Sequence, residues 1–161
     1  MAVDYFLKID GIDGESRAPK VPGSIDLESF SWGETQTGTH SSGGGGGAGK
    51  VQMQDFHFVM KANKASAKLF LACAEGEHIK KGVLVCRKAG KEQQEYLKVT
   101  MSDLLISSYQ TSGSSHGDEV PTDQVSLNFS KIEFEYKDQK ADGTLGGTTK
   151  TGYDVKAMKK V

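Results

Sequence analysis

Cysteine, proline and tryptophan are scarce in this chain, at two, three and one among 161 residues, and no apolar run approaches the length of a membrane span. Two cysteines, Cys73 and Cys86, supply neither a disulfide framework nor metal-ligand spacing, so both read as small apolar core residues. Charge of one sign is missing as well. The net charge is −1, with both signs mixed along the chain, which argues against neutralising many phosphates and so against a nucleic-acid partner. The start, Met-Ala-Val-Asp-Tyr-Phe-Leu-Lys-Ile-Asp, has no basic region ahead of a long apolar run, so the expectation is a chain made in the cytoplasm without a cleaved leader or membrane insertion.

Helix signals are equally rare. One stretch carries them, Asn63 to Gly76, where Ala65, Leu69, Ala72 and Cys73 recur at helical spacing. Asn63 or Ser66 can cap its start, and Gly76 can close its end in the left-handed conformation. A helix this short is marginal alone, so it should pack on a sheet.

The rest alternates. Tyr5, Leu7 and Ile9 form a first strand ended by Asp10-Gly11, and Glu15 to Gly23 reads as a surface connection. Ile25 and Leu27 begin a second run that changes phase at Ser29, so that Phe30 and Trp32 become its apolar pair, as a bulge would produce. Val51 to Met60 reads as a third strand with a phase change near Asp55, and Phe56 and Phe58 lie on its apolar side. Ile79 to Lys88 and Tyr96 to Met101 flank Ala89-Gly90-Lys91 as a hairpin, with Val83 and Val85 facing Leu97, Val99 and Met101. Leu104, Ile106 and Tyr109 follow a break at Ser102-Asp103, and Thr111 to Asp118 reads as a loop. Val125 to Tyr136, including Phe129 and Ile132, makes a last long strand shifted at Ser130-Lys131, before a polar tail in which Tyr153 and Val155 can add a short strand.

These features predict one domain over residues 1–161: mainly β, a closed or nearly closed antiparallel barrel with one short flanking helix. Its length suffices to bury about 70% of the surface of the unfolded chain. The expected core includes Phe30, Trp32, Phe56, Phe58, Leu69, Cys73, Leu97, Val99, Phe129 and Ile132.

Gly33 to Lys50 reads as one long loop ending in the run Gly43, Gly44, Gly45, Gly46, Gly47. Gly44 to Lys50 matches part of a phosphate-binding loop. However, Val51 stands where Ser or Thr would hold magnesium, and a strand, not a helix, is expected next. His40, His57, His78 and His116 lack metal-site spacing, and no nucleophile elbow is present. Glu133 and Glu135 alternate with Ile132, Phe134 and Tyr136, the pattern of a solvated face more than of an acid/base pair. No catalytic residue, metal or cofactor is therefore expected. Flexible polar loops on a stiff scaffold suit protein–protein contact.

Phe30-Ser-Trp-Gly-Glu34, Phe56-x-Phe58 leading into Lys61-Ala-Asn-Lys-Ala-Ser66, Cys73-Ala-Glu-Gly76, Arg87-Lys-Ala-Gly90, Glu95-Tyr-Leu-Lys-Val99 and Val125-Ser-Leu-Asn-Phe129-Ser-Lys-Ile132 followed by Tyr136 occur in this order. In that combination the chain resembles the haemolysin-coregulated protein (Hcp) family, the tube proteins of bacterial type VI secretion, from about Asp4 to Asp154. The family's helix start often carries a proline that Ala65-Ser66-Ala67 lacks; a first turn welcomes proline without requiring it.

The resemblance implies a β-barrel of two sheets with one flanking helix and an extended loop. It implies hexameric rings stacked into a hollow tube within a contractile sheath, thrown with a spike into a neighbouring cell, and small secreted effectors held in the ring. It implies cytoplasmic assembly and release from the cell without a cleaved signal. With the chain ending at Val161, no enzymatic extension is expected. Ser31 and Ser29, on the polar side of a strand that lines the channel in the family, become candidate lumen residues. The segment bearing Gly33, Thr37, His40, Gly43 to Gly47 and Lys50 becomes the candidate ring-stacking loop. The alternative is a monomeric barrel that binds a carbohydrate or other small molecule through its Ser/Thr-rich face; a hydrolase with a dispersed active site is a third reading.

Overall fold

The computed structural model describes residues 3–38, 48–88 and 94–161. Its elements are β1 (Val3–Ile9), β2 (Ile25–Leu27), β3 (Ser29–Ser31), β4 (Glu34–Gly38), β5 (Ala48–Met53), β6 (Phe56–Lys61), α1 (Ala65–Glu75), β7 (Ile79–Lys88), β8 (Glu95–Ser112), β9 (Thr122–Gln139), β10 (Leu145–Asp154) and β11 (Lys159–Lys160). The class is as the sequence predicts, mainly β with one short helix.

Nine strands form one antiparallel sheet in the order β11-β10-β9-β8-β7-β1-β2, with β6 pairing the first half of β9 and β3 pairing β6. Among the described residues the ladder does not close into a barrel. Instead β2 pairs β1, β3 pairs β6, and the chain bends between them at Glu28, whose N–H donates to the Val59 carbonyl at 2.8 Å. Among the described residues the second sheet is the β4–β5 hairpin alone, not a second wall of a barrel.

Several expectations need correction. Gly33 to Lys50 is not one loop, because β4 and β5 occupy its two ends and pair with each other. Val51 to Met60 is two strands, parted at Gln54-Asp55 and belonging to different sheets. The break at Asp103 lies inside a continuous β8: Asp103 takes φ +50° and stands beside Ser130, between the pairs Ser102–Lys131 and Leu104–Phe129. The two shifts read separately in β8 and β9 are therefore one sheet bend. Both strands skip two residues between core positions there, from Met101 to Leu104 and from Phe129 to Ile132. The polar tail forms the ten-residue β10 and short β11, because β9 offers it a free edge beyond the end of β6.

In the β7–β8 hairpin, Leu84 faces Val99 and Cys86 faces Leu97, whereas Val83 and Val85 face Thr100 and Lys98. Alternation misassigns the faces because both are covered at this point. The segment after Gly14 folds back over the outer side of β1 and β7, where Arg87, 1% exposed, lies 4.6 Å over the Phe6 ring and donates to the Pro19 carbonyl at 2.6 Å. The turn residues Ala89, Gly90 and Lys91 lie outside the described residues.

The core gathers Leu7, Ile9, Ile25, Phe56, Phe58, Met60, Leu84, Cys86, Met101, Leu104, Val125 and Leu127 with the helix residues Ala65, Leu69 and Ala72. Val99, Phe129 and Ile132 are buried with them, whereas Phe30, Trp32, Cys73 and Leu97 are only half-buried at the margin. Phe30 bridges Tyr5, edge-on at 5.0 Å, and Phe56, stacked at 5.8 Å. Burial pushes the Cys86 thiol up to about 12.

The helix starts as a turn set by side chains. Asn63 Oδ1 accepts the Ala65 N–H at 2.8 Å, and Ser66 Oγ accepts the Asn63 N–H at 3.0 Å. Lys64 occupies the cap position itself without a side-chain bond. At the other end Gly76 takes φ +62°, and the Gly76 and Glu77 N–H groups donate to Cys73 and Ala72.

Candidate functional site: sheet face, arm and cleft

Three surfaces follow from this register. The first is the outer face of β3, β6, β9 and the end of β8. Phe30, Phe56, Phe58, Val125 and Leu127 turn inward, so their neighbours turn outward. Ser31 stands opposite His57, His57 opposite Ser126, and Ser126 opposite Ser108; Ser29, Val59, Gln124 and Gln110 make the next row. Ser29 and Ser31 are exposed. His57 Nδ1 lies 3.1 Å from Ser126 Oγ, and Asn128 and Ser107 donate to the two Asp55 oxygens at 2.9 and 2.6 Å. Apart from Val59 the two rows carry hydroxyl, amide and imidazole groups, and charge stands at their ends, in the Asp55 carboxylate and in Lys61, which pairs with Glu28 and Asp118.

The second surface is the β4–β5 arm. It continues the β3–β6 pairing past Trp32 and Asp55, where the Gln54 N–H donates to the Gly33 carbonyl at 2.9 Å, and then leaves the main sheet. Gly33 is half-buried at that root, Thr37 falls in β4, and Lys50 is exposed on β5. His40 and Gly43 to Gly47 lie outside the described residues. Lys50 sits in a strand rather than ahead of a helix, so the partial phosphate-loop match has no helix N-terminus to offer.

The third is the cleft that opens as the arm diverges. β10 takes over from β6 as the neighbour of β9, and a cavity of about 810 Å³ lies between them and the arm, walled by Trp32, Val51, Met53, Ile132, Phe134 and Tyr153. Trp32, expected as core, is half-buried here, its Nε1–H without a hydrogen-bond partner among the described residues. Phe134 remains 40% exposed and Tyr136, farther along the same face, 43%. Sequence reading missed this cleft; its only trace was the polar-apolar alternation running past Ile132 to Tyr136.

Elsewhere the helix leaves Phe70 and Leu71 exposed opposite its buried stripe. Behind it, the fully buried Asp123 carboxylate accepts Ser66 Oγ–H at 2.7 Å and Tyr109 Oη–H at 3.0 Å, and burial together with that carboxylate raises the Tyr109 hydroxyl above its ordinary range. At the sheet bend the Lys156 ammonium and the Ser130 hydroxyl hold the Asp103 carboxyl below its usual range, with His78 Nδ1 at 3.6 Å. Glu135 is flanked across the ladders by Lys98 and Lys150. Among the described residues no group of three His, Cys, Asp or Glu side chains converges as metal ligands would. Nor is any helix long and apolar enough to cross a membrane.

Taken together, these surfaces define a mainly β protein whose distinctive features are sheet faces and strand edges. Residues 6–136 match the family model described as "Type VI secretion system effector, Hcp". The chain is 43% identical over 158 residues to Protein hcp1 of Pseudomonas aeruginosa, covering 97% of each chain. Among solved structures, it superposes on one described as a type six secretion system protein with a TM-score of 0.94 at 27% identity, covering 99% of this chain and 100% of that one. On Hcp1 from Salmonella typhimurium the TM-score is 0.81 at 38% identity, with both chains covered in full. The chain belongs to the Hcp family of type VI secretion.

Proposed function

We propose that this chain is the tube subunit of a type VI secretion system, forming hexameric rings that stack into a hollow tube, leave the cell with a spike, and hold small secreted effectors in the lumen. The observation that carries the reading is the match of fold and sequence along the whole chain to Hcp1 proteins. The rows of uncharged polar side chains through Ser29 and Ser31 support a lumen role: a wall that binds cargo through replaceable hydrogen bonds retains it without fixing it by charge. The β4–β5 arm, set off from the main sheet, supports a contact between stacked rings, in which Gly33, Thr37, His40, Gly43 to Gly47 and Lys50 take part. Sheath and spike proteins are the further partners, and the role is structural, without a catalytic step. Assembly takes place in the cytoplasm.

Light scattering on a size-exclusion column tests the reading. A mass near six times the 17.3 kDa chain is expected, together with tubes visible by electron microscopy at high concentration. A monomer across a wide concentration range overturns it and favours a small-ligand-binding barrel.

A further inference from the structure

We infer that His57 is the residue by which the polar sheet face selects cargo by charge: neutral, it presents only hydrogen-bonding groups, and protonated, it turns the face toward anionic segments and away from cationic ones. This inference rests on the cargo-holding reading above and deepens it by naming the chemistry that the face accepts.

His57 lies in the middle of its row, between Ser31 on β3 and Ser126 on β9, with Ser108 of β8 beyond. The neighbouring row holds Ser29, Val59, Gln124 and Gln110, so no other side chain in either row ionises between about pH 5 and pH 8. Within the rows β3, β8 and β9 contribute only hydroxyl and amide groups. The charged groups that face the imidazole stand on its own strand and at its margins. Asp55 accepts from Asn128 and Ser107 on its two oxygens, with Lys50 and Lys156 lining the cavity beside it. At the other end Lys61 pairs with Glu28 and Asp118. His57 is therefore the one member of the rows whose charge a change of pH near neutrality can alter.

A neutral imidazole has one donor nitrogen and one acceptor nitrogen, whereas an imidazolium has two donors. His57 Nδ1 lies 3.1 Å from Ser126 Oγ, so protonation obliges the Ser126 hydroxyl to accept from Nδ1 and frees its own proton for a neighbour or for cargo. The hydrogen-bonding sense of the row changes together with its charge. Each subunit gains one positive charge on a half-buried side chain, where salt screens it less than at a fully exposed site. A cargo charge brought within about 7 Å of it changes affinity about threefold, up for an anion and down for a cation. Charge of this kind sets specificity more than overall affinity. A ring of identical subunits repeats the preference once per subunit around its wall.

The probes are two labelled Ser/Gln-rich peptides of equal length, one bearing lysines and the other aspartates, titrated with the full chain and followed by fluorescence anisotropy. From about pH 8 to about pH 5.5 the wild type should weaken about threefold for the lysine peptide and tighten about threefold for the aspartate peptide. His57→Gln should abolish both shifts. His57→Lys, charged at both pH values, should show the acid preference throughout; should it fail to fold, His57→Gln alone decides. If His57→Gln keeps the wild-type response, or the wild-type affinities do not move with pH, the inference is overturned. If neither peptide binds at either pH, the face holds no polar segment and the inference falls as well. Light scattering on the same samples judges the ring reading separately. A monomer overturns that reading, while the peptide comparison, which reads the face that each subunit carries, still decides the role of His57.

Discussion

Ser31 on β3 and His57 on β6 face each other across an antiparallel ladder, on the side of the sheet away from the stacked rings of Phe30 and Phe56. Through His57 the row continues to Ser126, whose Oγ lies 3.1 Å from His57 Nδ1, so the exposed Ser31 stands at the end of a polar row across three strands.

Replacing Ser31 with a bulky charged residue should leave folding intact, changing stability by no more than about 0.5 kcal/mol, because the site is exposed. Retention of small cargo by the ring should fall, measured by co-purification of effectors with assembled rings. Equal retention would remove Ser31 from the lumen assignment.

Deleting Gly43 to Gly47 should spare the folded monomer and the ring while weakening stacking, because the glycine run lies between the two strands of the arm. Tube length by electron microscopy is the measurement, and normal tubes would reject a stacking role for this segment.

Asp123 joins helix to sheet. Asp123→Ala should cost about 1.5–3 kcal/mol, the usual range for losing hydrogen bonds to a charged group, by leaving the Ser66 and Tyr109 hydroxyls without their acceptor. Phe58→Ala, in the centre of the core, should cost more, about 3–5 kcal/mol. Urea denaturation of both variants checks the order.

The acid side of the stability profile has a definite sign. Asp13, Asp103, Asp118 and Asp142 all titrate below the ordinary 3.8 in the folded chain, chiefly through bonds with Lys8, Lys156, Lys61 and Thr144. A folded pKa below the unfolded one gives stability that is present above the unfolded value and lost as pH falls through the folded value. Thermal melts should therefore be insensitive to these groups near neutrality and lose stability below about pH 4. These groups are exposed, so added salt should shrink the effect.

Cys86 supplies the alkaline counterpart. Its folded thiol titrates at about 12 against an ordinary 9.0, so its contribution is full below 9.0 and lost as pH rises toward 12. Because the thiolate is the nucleophile, Cys86 should resist alkylation until the chain unfolds. Mass spectrometry after iodoacetamide, with and without urea, should show the Cys86 adduct only in urea.

Much of the fold was legible because one side of each strand is apolar. Phe56 and Phe58, Val125, Leu127 and Phe129, and the helix residues Ala65, Leu69 and Ala72 announce their face by period alone, and all are buried. Alternation, though, records only whether a face is covered, never by what. It misassigned Val83 and Val85, because Arg87 and the segment around Pro19 cover the outer side of β7. It presented the bend at Asp103 and Ser130 as two unrelated irregularities, because the strands that share it lie 27 residues apart in the chain. The period of the side chains and the position of Gly76 belong to local chemistry, and from them the sequence by itself determined the helix, its end and the strands that have an apolar face. Which strand follows β6 along β9, where the arm parts from the sheet, and hence where a cleft lies, depend on pairings between distant segments; only the tertiary structure decided these, because strand pairing is a property of two stretches of backbone and not of either one alone.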